Sequence, residues 1–149
     1  PWSRNAEAGV TVVNSRPAVL VVEDDGDMRS LLRDGLRTEA CVLHEAEDGE
    51  DALLSVLRTA PDLIITEIRM AGGGVEYIAR LRVFVPNCPI VVMTAFGDER
   101  VKASVLRAGA TAYFNKPAHL SELRACVRRL LDAKYAEVDQ AVVVSEGRR

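Results

Sequence analysis

The chain has 149 residues, 48% of them hydrophobic and 28% charged, and carries a net charge of −3 with a pI near 5.5. These values describe one ordinary globular domain, with no basic footprint for nucleic acid and no apolar run near the ~18 residues of a membrane helix. No signal-peptide pattern opens the chain, and Cys41, Cys88 and Cys126, an odd number in or beside apolar segments, read as small buried hydrophobes in a reducing compartment. Cytoplasm is the expected location. The chain opens on Pro1, which leaves room for a further domain outside it.

Residues 1–17 are mixed and polar apart from "VTVV" at 10–13 and read as an N-terminal arm. A regular alternation follows. "AVLVV" (18–22) is an apolar run ending in acids, and 27–39 has helical spacing through Met28, Leu31, Leu32 and Leu36. "CVLHEA" (41–46) reads as strand, 49–60 as helix, "DLIIT" (62–66) as strand and 75–82 as helix. "PIVVMTA" (89–95) is strand, 98–109 is a helix closed by Gly109, "TAYFN" (111–115) is strand, and 120–135 is a last amphipathic helix. The tail, 135–149, reads as a linker or frayed end. Five βα units with continuously apolar strands at 18, 62 and 89 predict an α/β fold: a doubly wound parallel sheet covered by helices on both faces.

In such a fold, sites form at the carboxyl ends of the strands. Glu23, Asp24 and Asp25 fall there after the first strand, Glu67 after the third, Thr94 and Ala95 at the fourth, and Lys116-Pro117 after Tyr113 on the fifth. Crowded acids repel and call for a cation; oxygen ligands without a histidine or thiolate suit Mg²⁺ best. Lys116 supplies a fixed positive charge and Thr94 a hydroxyl able to bond a phosphoryl oxygen. Asp25 and Asp27 are expected to start the first helix. The triple glycine 72–74 lacks the Gly-Lys-Ser/Thr of a phosphate loop and reads as flexible.

The pieces "LVVEDDGDMRSLL", "EAEDGEDAL", "PDLIITEIRM", "PIVVMTAFGD" and "AGATAYFNKP" together resemble the receiver domain of two-component response regulators, over residues 18–134. The resemblance implies a flavodoxin-like sheet in the order 2-1-3-4-5 with five helices. It places Glu23 and Asp24 as the metal-binding acidic pair and Arg69 as the residue whose backbone carbonyl joins them. Thr94 becomes the switch hydroxyl, Tyr113 the rotating aromatic and Lys116 the phosphate-contacting lysine, with a cis Lys116-Pro117 bond. It further implies a signalling module rather than an enzyme. Its partners would be a sensor kinase or effector protein, or a second copy docked through the fourth helix, fifth strand and fifth helix.

Three departures stand out. Glu67 occupies the phosphoacceptor position, Ala71 replaces the proline that usually follows "RM", and the loop "AGGG" is one residue short. Glutamate moves the carboxylate outward by roughly 1.5 Å, one C–C bond, and a misplacement of about 1 Å can cost on the order of 10²-fold in an in-line transfer. The reading is a pseudo-receiver, not phosphorylated in the usual way, in which Glu67 pairs with Lys116, engages Thr94 and partly imitates the phosphorylated state. Glu67 would also crowd the metal. Two alternatives stay open: an ordinary receiver carrying an introduced activation mimic, and a Mg²⁺-dependent phosphatase-like enzyme built on Asp25-x-Asp27.

Overall fold

A computed structural model describes residues 16–37, 39–95, 97–116 and 120–146, with side chains to residue 136. Five parallel strands form one sheet in the order β2-β1-β3-β4-β5: β1 (Ala18–Val22), β2 (Val42–Ala46), β3 (Leu63–Thr66), β4 (Ile90–Thr94) and β5 (Ala112–Asn115). The connecting helices are α1 (Gly26–Leu36), α2 (Gly49–Thr59), α3 (Val75–Phe84), α4 (Glu99–Ala108) and α5 (Leu120–Glu146). The doubly wound order expected from the sequence is therefore the one observed.

Successive strand residues point to opposite faces, so an apolar strand feeds two cores. Val19, Val21, Ile65 and Met93 pack with Leu36 of α1 and Leu123 of α5. Leu20, Val22, Ile64 and Val92 pack on the other side with α2, α3 and α4, through residues such as Val56, Ile78 and Val105. Removing these side chains from water supplies most of the stability, at about 25 cal/mol per Å² of apolar area. Cys88 and Cys126 are buried, Cys41 is half-buried, and all three are free; burial pushes the Cys88 thiol up to about 11.

Helix starts follow the acids. Asp25 accepts a bond from the Met28 amide (2.9 Å), Asp48 from Asp51 (2.8 Å) and Asp98 from Val101 (2.8 Å), each satisfying an amide that the helix leaves unpaired. The last helix differs from expectation, running on to Glu146 instead of ending near 135. No glycine or proline lies between Leu120 and Glu146 to stop it, so the segment read as linker is helical as far as 146. Residues 1–15 of the arm, the Lys116-Pro117 bond and the chain beyond 146 lie outside the described residues.

The triple glycine is also different from its sequence reading. The Gly49 amide donates to Ala71 O (2.9 Å), Gly73 to Met70 O (3.0 Å) and Gly74 to Ile68 O (2.8 Å), so the turn is tied down. Gly72 and Gly74 hold φ of 69° and 96°, and a Cβ on Gly49 would strike the Gly72 carbonyl. These glycines serve close approach, not mobility. Gly49→Ala, ordinarily favourable at a helix position, is accordingly expected to lower stability by about 1–3 kcal/mol, the usual range for overpacking, as read by urea unfolding.

Candidate functional site

Backbone pairing continues one residue past the strands and sets the acids side by side. The Glu23 amide donates to Ala46 O (3.0 Å), the Glu67 amide to Val22 O (2.9 Å) and the Lys116 amide to Thr94 O (2.8 Å). Glu23 and Glu67 thus sit at the carboxyl ends of adjacent strands, only 2% and 5% exposed. From the far side of β4, the Lys116 ammonium reaches across to both. It lies 2.7 Å from Glu23 Oε1 and 3.2 Å from Glu67 Oε1. The other Glu67 oxygen, Oε2, accepts the amides of Ile68 (2.6 Å) and Arg69 (3.2 Å).

These contacts set the electrostatics. Burial pushes the Glu23 carboxyl above its usual value, the bond and charge of Lys116 pulling the other way, with Glu67 and Asp24 adding to the rise. For Lys116 burial acts downward, but the bond to Glu23 and the charges of Glu67 and Glu23 prevail and raise it. The ammonium is firmly charged. Beneath the pocket, Arg29 donates to the Glu23 carbonyl (2.7 Å) and faces Glu45 (3.4 Å) and Glu47 (3.6 Å), which holds the β1–α1 turn in place.

Not every residue singled out in the sequence joins this cluster. Thr94 is fully buried, yet its hydroxyl has no hydrogen-bond partner among the described residues. The predicted Glu67–Thr94 engagement is therefore absent, because the Glu67 carboxylate turns towards its own loop amides and Lys116. Thr94 lines a cavity of about 210 Å³ with Ile68, Arg69, Gly74, Val75, Gly97 and Val101. Tyr113 is half-buried, donates to Asn115 Oδ1 (2.9 Å) and lies over Gly97, where any Cβ would collide with the phenol. Asp24 is exposed.

The donor set as arranged fits Mg²⁺ poorly. Among the described residues no three acidic, histidine or cysteine side chains converge in a metal-holding group. Glu23 and Glu67 share an ammonium instead, and both Glu67 oxygens are engaged. A divalent ion held by Glu23, Asp24, Glu67 and the Arg69 carbonyl would require Lys116 to give up its bonds to both acids.

Two residues that the sequence reading passed over also touch the site. Thr66 and Tyr77 form a buried hydroxyl pair (2.8 Å) directly behind Glu67. A threonine closing an otherwise aliphatic strand run was the available signal, but a threonine in a strand is too common to single out.

A five-stranded parallel sheet in the order 2-1-3-4-5, with two buried acids and a lysine meeting at the ends of β1, β3 and β5, defines a flavodoxin-like class of α/β domain. The model of the response regulator receiver domain matches residues 19–128, and the chain belongs to that family. It is 38% identical over 123 residues to the transcriptional regulatory protein PrrA of Mycobacterium leprae, covering 82% of this chain and 53% of that one. It is 30% identical to sporulation initiation phosphotransferase F of Bacillus subtilis, covering 78% of this chain and 94% of that one. A crystal structure of a two-component response regulator from Clostridium difficile superposes with a TM-score of 0.75 at 27% identity, over 78% of this chain and 97% of that one. The chain thus spans about half the length of PrrA. No helix among the described residues is long and apolar enough to cross a membrane.

Proposed function

We propose that this receiver signals without being phosphorylated in the usual way, and that Glu67 imitates part of the phosphorylated state. The observation that carries this reading is the engagement of Glu67. One carboxylate oxygen faces Lys116 at 3.2 Å and the other takes two loop amides, so the carboxylate is held turned towards the lysine and its own loop. An in-line attack requires a free lone pair near 3–3.5 Å from phosphorus, and the extra methylene places this carboxylate elsewhere.

The imitation is partial. Glu67 brings one negative charge to Lys116 where a phosphoryl group brings about two, and among the described residues the Thr94 hydroxyl has no hydrogen-bond partner. A charge shifts a two-state equilibrium only by its differential energy between the states, so Glu67 biases the domain without locking it. Its partner is a sensor kinase or effector protein, or a second copy docked through α4, β5 and α5, where Leu106 stands exposed. The pocket works with Lys116 as its resident cation, and Mg²⁺ enters only against that ammonium.

The test is exposure to acetyl phosphate and Mg²⁺, read by intact mass, beside Glu67→Asp. Glu67→Asp is expected to gain a phosphoryl group at least about 10²-fold faster than the unsubstituted chain. Equal or faster modification of the unsubstituted chain, mapped to Glu67, overturns the reading.

A further inference from the structure

Behind the pocket lie two buried hydroxyls that the reading above leaves unused. Thr66 ends β3 immediately before Glu67 and is fully buried; Tyr77, on α3, is 1% exposed. The Thr66 Oγ1 atom is 2.7 Å from the Glu67 carbonyl oxygen and 2.8 Å from the Tyr77 hydroxyl. A threonine hydroxyl has one proton, and a carbonyl can only accept. Thr66 therefore donates to Glu67 O, and Tyr77 must donate to Thr66. Burial raises the Tyr77 phenol far above its ordinary value, so its proton is available at any working pH.

The carbonyl held in this way belongs to the Glu67–Ile68 peptide. The N–H of that same peptide is the one 2.6 Å from Glu67 Oε2. Because a peptide unit is planar, fixing the carbonyl at one end aims the amide at the other. Packing alone would not ask for these hydroxyls: valine and phenylalanine would fill the same volume with nothing polar to desolvate. The β3–α3 turn reinforces the arrangement, since Gly74 N donates to Ile68 O (2.8 Å).

We infer that Tyr77 is a positioning residue for position 67, acting through Thr66 to set the 67–68 peptide plane, so that α3 and the acid of the pocket move as one unit. This rests on position 67 being the centre of the site. A rotation of α3 that withdraws the phenol frees the peptide and lets the carboxylate leave its loop amides. The helix thereby becomes part of the lever between the pocket and the surface.

Tyr77→Phe removes the bond that Tyr77 donates to Thr66, and Thr66→Val removes that bond together with the one to the Glu67 carbonyl. Amide hydrogen exchange on the full chain is expected to quicken about tenfold at Ile68 and Arg69, the factor that losing one hydrogen bond carries. Amides of β1 and β4 should change far less. The double variant should match Thr66→Val, and Thr66→Ser should restore protection. In a Glu67→Asp background, Tyr77→Phe should also slow phosphorylation by acetyl phosphate about tenfold. Uniform acceleration across all strands, or none at Ile68 and Arg69, overturns the inference: the first makes Tyr77 a packing residue only, the second a bystander. A Glu67→Asp chain that accepts no phosphoryl group counts against the functional reading alone, because exchange in the chain that keeps Glu67 still decides the role of Tyr77.

Discussion

Lys116→Met is expected to lower the unfolding free energy by about 3–5 kcal/mol at neutral pH, the range for stranding a buried charge whose partner is removed. The melting temperature should fall by roughly 10–20 °C for a chain of this size. Lys116 pairs with two carboxylates that are 3% and 6% exposed at their side chains, so its loss leaves both facing low-dielectric surroundings. The deficit should depend on pH in a definite direction. Burial already holds the Glu23 carboxyl above its ordinary 4.5, and Lys116 is what opposes that rise. Without the ammonium, the folded-state value climbs further above the unfolded one, and the folded state then binds that proton the more tightly. Stability is therefore retained below about pH 4.5 and lost as pH rises through the folded value. Urea unfolding of the variant should approach the unsubstituted chain near pH 4.5 and diverge most near pH 8. A second change, Glu23→Gln, should recover part of the loss at neutral pH. A deficit independent of pH would mean that the aliphatic stem of Lys116, not its charge, matters here.

The lysine was legible in the sequence, as were both acids, because each follows directly on an apolar strand and parallel order brings strand ends together. The same logic located the helices. Asp25, Asp48 and Asp98 each precede a helical period and each caps it. What escaped were the features that depend on side-chain direction and non-local distance. Nothing in "AGGG" says that Gly49, more than twenty positions earlier, lies against its carbonyl, so a rigid turn was read as a loose one. Likewise Thr94 has the right residue type at the right strand end. Whether it meets Glu67 depends on the χ angles of a glutamate with a closer partner in its own loop amides. Tyr77 occupies an apolar phase of α3, so its ring was foreseeable as core, but its hydroxyl partner was not. The length of α5 was open because a helix without breakers has no sequence-marked end short of Gly147.

Arg82 is the extreme case of that blindness, since among seven charged residues on α3 and α4 nothing in the string distinguishes it. It is expected that Arg82→Met costs about 2–4 kcal/mol, as losing charge-assisted bonds to several carbonyls at once should. Its Nη1 donates to Cys88 O (2.6 Å), Val85 O (2.8 Å) and Pro86 O (3.3 Å), while Nη2 and Nε donate to Gly109 O (2.6 and 3.1 Å). One side chain on α3 thus ties the α3–β4 loop to the α4–β5 turn. The same turn is fixed by Thr111, whose hydroxyl accepts from the Ile90 amide (3.0 Å). Gly109, at φ 127°, presents its carbonyl here because a Cβ would strike the arginine stem. Arg82→Lys should recover less than half of the loss. A single ammonium cannot reach Cys88 and Gly109 together, whereas the planar guanidinium spans them. Thermal and urea unfolding of both variants would measure this. Full recovery by lysine would show that the positive charge alone suffices, and that the fork geometry, which holds β4 and β5 in line and so carries Thr94 and Lys116 to the pocket, is incidental.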